Sequence, residues 1–223
     1  MSGSEVFQKL TADLAVERLQ HDNETEWEAV AEEMILEVAA VVQENVQLRR
    51  AELIHLDAAG SGESSSIMAR YLHRSTTPGV GSAGALVGLS VPTAAHDNAE
   101  VRAMLETAGS RIAMHVIAAK PLALSRGDLD PAVVEREEKV LLEQGMETGK
   151  PEDIVKKMMA GRMNKFYKEV VLLDQEYMVG DDKQSVAAVL KDLSEEVGGT
   201  VELASFARFS VGEVDAAKDG EEQ

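Results

Sequence analysis

The 223-residue sequence contains no cysteine. This single absence removes disulfide frameworks, thiolate zinc sites, iron–sulfur clusters and cysteine nucleophiles together. Aromatic residues are also scarce, with one Trp, three Tyr and four Phe, so a core has to be built from Ala, Val, Leu, Ile and the ten Met. No run approaches the ~20 consecutive apolar residues of a membrane-spanning helix, and Met1-Ser2-Gly3-Ser4 lacks the basic-then-apolar layout of a signal peptide. Bases are few: 22 Lys plus Arg stand against 40 Asp plus Glu, a formal net charge of −18. Phosphate backbones are held chiefly by Lys and Arg, so this balance argues against DNA or RNA as a direct partner. The expectation is a soluble, intracellular protein of one large domain or two small ones.

The first third of the chain is patterned as helix. Phe7, Leu10 and Leu14 share one helix face, and Trp27, Val30, Met34, Val38 and Val41 share another. Thr25 followed by Glu28 has the spacing of a capping box. The pattern then changes to short apolar runs at 51–57, 67–73 and 82–91, with a Gly/Ser-rich loop at 58–66 and a Pro/Gly loop between the last two runs. The spacing predicts a helix with Leu105, Ala108, Ile112, Val116 and Ala119 on one face, stopped before Pro121. Asp130-Pro131 opens another helix that ends near Gly149, and Pro151 follows it. The next helix presents Val155, Met159, Met163, Phe166, Val170 and Leu173, so the two should form an antiparallel hairpin. A short helix with Val186, Leu190, Leu193 and Val197, a closing strand at 201–211 and a polar tail at 214–223 complete an α+β order.

Candidate catalytic motifs are weak. Gly79-Val80-Gly81-Ser82-Ala83-Gly84 has the spacing of a dinucleotide loop, but Pro78 precedes it and a strand-like run follows, whereas the motif works by ending a strand and opening a helix. Gly145 to Lys150 resembles a phosphate loop one residue short, with Pro151 where a magnesium-binding Ser or Thr is needed. Histidines 21, 55, 73, 96 and 115 have no metal-ligand spacing, and they read as solvated or packed side chains. The acid pairs Glu32-Glu33 and Asp181-Asp182 read as solvated surface, and Met158, Met159 and Met163 read as core. These residues imply no metal, no cofactor and no covalent catalysis, and point to a binding module.

Seven segments in order narrow the reading. They are Glu44-Asn45-Val46-Gln47-Leu48-Arg49-Arg50, Tyr71-Leu72-His73, Ile112 to Pro121, Thr148 to Pro151, Gly161 to Glu169, Leu172-Leu173-Asp174-Gln175, and Phe206 to Glu213. In this order and spacing the chain resembles elongation factor Ts, the nucleotide exchange factor of the GTPase elongation factor Tu, from residue 5 to about 213. Pro78-Gly79-Val80-Gly81 and Ala118 to Leu122 look most like the mitochondrial branch. The resemblance implies a mitochondrial matrix protein, with plastid stroma or bacterial cytoplasm as the alternatives.

It also implies an α+β core of two small antiparallel sheets packed on helices, with a short helical hairpin. Residues 5–91 would form the N-terminal subdomain, 92–213 the C-terminal subdomain, and 214–223 a tail. Elongation factor Tu would be the partner, a homodimer is an expected assembly, and neither nucleic acid nor membrane is contacted directly. The resemblance places His73 at a strand end that approaches the GTPase, with Tyr71 and Leu72 shaping that end. Arg70 and Arg74 beside it are candidates for acidic groups on the partner. The family's N-terminal module and its T-D-F-V wedge are not found in the 223 residues, and Val214 replaces a glycine of the usual G-E-G. The expectation is either a truncated sequence or a version with reduced exchange activity, a scaffold or ribosome-associated protein being the alternative function.

Overall fold

A computed structural model describes residues 3–21, 23–56, 64–75, 78–147, 152–180 and 183–213. The expected acid pair at 181–182, most of the Gly/Ser loop, the turn at 148–151 and the tail lie outside those residues. The described chain forms helices α1 (Gly3–Arg18) and α2 (Glu24–Val42), strands β1 (Ser64–His73) and β2 (Ala83–Pro92), helices α3 (Thr93–Asp97), α4 (Ala99–Ala119), α5 (Pro131–Glu147), α6 (Glu152–Val170) and α7 (Val186–Val197), and strand β3 (Glu202–Ser210). Short 3-10 turns occupy Arg126–Asp128 and Leu172–Asp174.

Two compact units are present. The first comprises residues 1–55, 72–84 and 209–223, and the second 56–71 and 85–208. They are interleaved in sequence and form a different partition from the 5–91 and 92–213 expected.

In the first unit α1 packs on α2. Leu10 and Leu14 meet Trp27 and Ala31, all buried, with Met34, Ile35, Val38 and Val46 packed around them. Each large apolar side chain removed from water contributes about 1.5–3 kcal/mol. Three members of the expected stripes fall outside this core: Val30 is only half-buried, while Phe7 is 49% exposed and Val41 is 69% exposed. Phe7 and Val41 stand at the outer ends of their stripes, where no element covers them among the described residues. The start of α2 also differs from expectation. Its N-cap is Asn23, whose side chain accepts a hydrogen bond from the Thr25 amide. Asn is among the strongest N-cap residues, so the helix starts before Thr25 and no Thr25–Glu28 capping box is used.

The second unit carries the sheet, ordered β1-β2-β3 with β2 central. The strands are antiparallel. The expected β1–β2 pair is present, although β1 begins at Ser64, so Ser64, Ser65 and Ser66 are strand and not loop. A second sheet is not found among the described residues. Residues 51–56, the described part of the run expected at 51–57, carry no ladder, because an extended segment becomes a strand only beside a partner that satisfies its backbone groups.

Central β2 buries Ala85, Val87, Leu89 and Val91. The sheet and α4 share one core with Leu105, Ile112, Ala113, Val116, Leu172, Val186 and Leu190. Helix α4 fits closely because position 109 is glycine: a Cβ there would stand 2.6 Å from the Ala69 Cβ. The α4 N-cap, Asn98, accepts from the amides of Glu100 and Val101 at 3.1 and 3.3 Å. Lys120 in the left-handed region ends the helix before Pro121. Helices α5 and α6 pack together as the expected hairpin, with Asp130 accepting from the Ala132 amide at 2.8 Å ahead of α5 and Arg162 donating to Gln144 Oε1 at 2.7 Å between the helices. Leu141, Val155 and Met163 are its buried contacts. Met163 is therefore core, as read, while Met158 and Met159 are half-buried.

Candidate functional site

The end of β1 and the turn that follows it belong to the first unit from Leu72 onward. The His73 carbonyl accepts from the Ser82 amide at 3.0 Å and from the Ser82 hydroxyl at 3.3 Å. Ser82 in turn accepts from the Val211 amide at 2.9 Å. The turn between them needs unusual backbone: Arg74 and Gly79 have φ of 50° and 83°. At Gly81 a Cβ would stand 2.8 Å from the His73 carbonyl oxygen, so a side chain there would disturb the strand end.

Gly79 supplies a left-handed backbone and Gly81 a close approach ahead of β2. A phosphate-cradling loop would open a helix instead, which agrees with the weakness of the dinucleotide motif. The His73 and Arg74 side chains are exposed, and Leu72 is half-buried. In the second unit, Arg70 is exposed on β1, and Tyr71 is partly buried against the core. Tyr71 is thus an anchor of its strand.

Alongside this turn, Arg50 lies 4.8 Å over the Phe209 ring and 3.8 Å from the Glu213 carboxylate. Arg50, the last residue of segment 44–50, thus meets Phe209 and Glu213, which are 159 and 163 positions further along the chain. The first unit also holds a groove of about 910 Å³ between α2 and residues 46–52. Trp27, Ala31, Ile35 and Val46 line it, and the exposed carboxylates of Glu24, Glu28 and Glu32 follow one wall. Among its lining residues no hydroxyl or imidazole is present to serve as nucleophile or base. Nor do the described residues contain a group of three or more His, Asp or Glu able to hold a metal.

The second unit contains a buried polar junction that the sequence did not disclose. His115 on α4 is 0% exposed. Its Nδ1 accepts from the Met178 amide at 3.2 Å, and its Nε2 faces Gln175 Oε1 at 3.1 Å. Gln175 Nε2 donates to the carbonyls of Glu169 at 2.8 Å and Ala119 at 3.3 Å. Burial holds the His115 imidazole below its ordinary value, partly offset by the Gln175 hydrogen bond. The Tyr177 ring lies 5.7 Å away, and its hydroxyl is raised by burial, with Arg111 acting in the opposite sense.

A second clasp joins the base of the hairpin to the turn after α4. Arg126 donates through Nε to Asp174 at 2.6 Å and through Nη1 to Asn164 at 3.2 Å, and it lies 4.7 Å over the Tyr167 ring. Asp128 accepts from the Ser125 amide and hydroxyl, which hold its carboxyl below the ordinary value. The segments 112–121, 161–169 and 172–175 therefore converge on His115, Gln175 and Asp174. Their shared role is visible only once the chain is folded.

An α+β protein with a three-stranded sheet, a helical hairpin clasped to the turn after α4, and an exposed strand-end histidine is the class that these features define. A family model described as Elongation factor TS matches residues 2–213. The chain is 35% identical over 215 residues to elongation factor Ts of Rickettsia akari, covering 93% of the chain and 65% of that relative. It is 37% identical over 182 residues to elongation factor Ts of Rhizobium meliloti, covering 82% and 54%, and 33% identical over 219 residues to that of Parvibaculum lavamentivorans, covering 94% and 66%. The chain belongs to the elongation factor Ts family. It spans between about half and two thirds of the length of these relatives. They are bacterial proteins and lend no support to the mitochondrial branch expected from residues 78–81 and 118–122. Among the described residues, no helix is long and apolar enough to cross a membrane.

Proposed function

We propose that the chain binds elongation factor Tu and promotes release of GDP from it, making and breaking no covalent bonds. The observation that carries this reading is the family match across residues 2–213, together with a fold in which the matching segments form the structural junctions. Exchange follows from linkage. A factor that prefers the partner in a nucleotide-weakened conformation lowers nucleotide affinity, and nucleotide lowers the factor's affinity by the same ratio.

In this reading the β1 end is the contact surface. His73 and Arg74 are exposed to reach the GTPase, Arg70 supplies positive charge, and Tyr71 and Leu72 fix the strand that presents them. The acidic remainder of the surface orients the encounter and keeps nucleic acid from being a direct partner. The exposed apolar side chains Leu142 and Ile154 on the hairpin support self-association into a homodimer as a second mode. The compartment is the one that holds elongation factor Tu: bacterial cytoplasm by the relatives, or mitochondrial matrix by the two short stretches noted in the sequence.

The test is release of fluorescent GDP from elongation factor Tu, followed in stopped flow with increasing concentrations of the chain. A dose-dependent acceleration is expected. The alternative, a non-exchanging scaffold or ribosome-associated protein of the same fold, fits the same family match. It predicts complex formation with an unchanged release rate.

A further inference from the structure

The four polar groups around His115 leave only one proton arrangement open. Gln175 has two amide hydrogens, and both are used on the Glu169 and Ala119 carbonyls. Its oxygen must therefore face His115, since a flipped amide would set oxygen against two carbonyl oxygens. His115 Nε2 must then carry a hydrogen and donate it. On the other side of the ring the Met178 N–H already points at Nδ1, so Nδ1 must be a bare acceptor. A proton added at Nδ1 would place donor against donor on a ring that is 0% exposed.

The junction joins elements that are otherwise separate in sequence. His115 lies near the end of α4, Glu169 in the last turn of α6, and Gln175 and Met178 in the segment that leads away from the hairpin. The geometry points to a proton-gated latch: protonation of His115 at Nδ1 releases the Met178 amide from α4, while Gln175 keeps its hydrogen bonds to Nε2 and to the Ala119 carbonyl and the sheet-facing core of the helix stays folded. The incoming proton comes from solvent and takes the Nδ1 lone pair that the Met178 amide had used. Met178 then loses its acceptor, and Tyr177, buried beside the ring, loses its cover.

Charged groups on the surrounding elements are engaged elsewhere or exposed. On α6 the Glu169 carboxylate pairs with Lys165 at 3.7 Å, and in the turn after it Asp174 is held by Arg126 at 2.6 Å. On α7 Lys191 pairs with Glu195 at 3.7 Å, and Asp192 is exposed. Arg111 on α4, Lys120 at its C-terminal cap, Glu176 next to Gln175, and Arg70 and Glu202 on the sheet are exposed. Tyr177, 5.7 Å from the imidazole, is the titratable group whose contact with it is resolved among the described residues. Among the described residues, no carboxylate is hydrogen-bonded to the ring to stabilise an imidazolium.

The test is amide hydrogen exchange on the intact chain as a function of pH, expressed as protection factors so that the intrinsic pH dependence of exchange is removed. An opening linked to uptake of one proton becomes about tenfold more populated per pH unit below the free-histidine value, which is 6.5. Met178 protection should fall by that factor per unit below pH 6.5, while Ile112 on the same helix holds its protection. In the variant His115→Gln the Met178 profile should be flat over the same range. A variant profile as steep as wild type would overturn the latch, and so would Met178 and Ile112 losing protection together. An independent readout needs no variant. Ring nitrogen shifts of wild-type His115 at neutral pH should report the Nε2–H neutral tautomer, and an Nδ1–H tautomer or an imidazolium there would also overturn the proposal.

Discussion

Gly109 on α4 stands against Ala69 on β1 so closely that a Cβ at position 109 would lie 2.6 Å from the Ala69 Cβ and 3.2 Å from Leu89 Cδ1. Helix and sheet are in contact here through the absence of a side chain. Ala69 cannot swing away, having nothing beyond Cβ, so Gly109→Ala must separate the backbones. Overpacking costs about 1–3 kcal/mol, against a gain of about 1 kcal/mol in helix propensity. A net loss of stability is expected in denaturant titration, larger for Gly109→Val, and Ala69→Gly should restore part of it. Unchanged stability in Gly109→Ala would show that the helix is not seated as described.

Gln175→Leu keeps the volume of the side chain but removes its amide. His115 Nε2 and the Glu169 and Ala119 carbonyls then lose their partner in a buried site. A buried group left unsatisfied costs about 1–3 kcal/mol, so a loss of at least about 2 kcal/mol is expected by urea unfolding. A change below about 0.5 kcal/mol would place the junction in contact with water.

The pH dependence of global stability has a definite sign. His115 in the folded chain titrates below its ordinary 6.5, so the unfolded chain takes up the proton first. The contribution is complete above 6.5 and is lost as pH falls from 6.5 toward the folded value, at up to about 1.4 kcal/mol per unit. Comparison with His115→Gln isolates this contribution from the carboxylates. The difference in stability between the two proteins should shrink as pH falls through that window, and a constant difference would contradict it.

Asn98→Ala removes the side-chain acceptor for the Glu100 and Val101 amides at the start of α4. A loss of about 1 kcal/mol is expected, with Asn98→Asp near wild type. Equal losses in both variants would mean that the cap does not stabilise the helix.

His73→Ala tests the proposed contact surface. The side chain is exposed, and such changes usually alter stability by no more than about 0.5 kcal/mol. Affinity for elongation factor Tu should fall while the melting temperature stays near wild type. Unchanged affinity would remove His73 from the site.

Much of this architecture was legible in the residue pattern because its signals are local. Leu105, Ile112 and Val116, and likewise Val186 and Leu190, mark helix faces that are buried as read, and Asp130-Pro131 marks the start of α5. The errors fall where local pattern competes with something non-local or nearly equivalent. Phe7 and Val41 continue their helical stripes past the end of what covers them, and Asn23 captures the N-cap two residues before Thr25. The His115–Gln175 pair was invisible for a plainer reason: the two residues are 60 positions apart, and neither carries a spacing that predicts the other. Arg50 and Phe209 meet for the same reason without a local signal. The short segments used for the resemblance nevertheless contain all four residues, so the motif carried information about packing before any contact could be assigned.

The most direct measurement of the central proposal is the dissociation constant of the chain for elongation factor Tu in its nucleotide-free form and in its GDP-bound form. If the chain promotes GDP release, it should bind the nucleotide-free form more tightly, by the same factor with which it weakens GDP binding. Equal dissociation constants for the two forms would contradict the account, since a factor with no preference between states shifts neither.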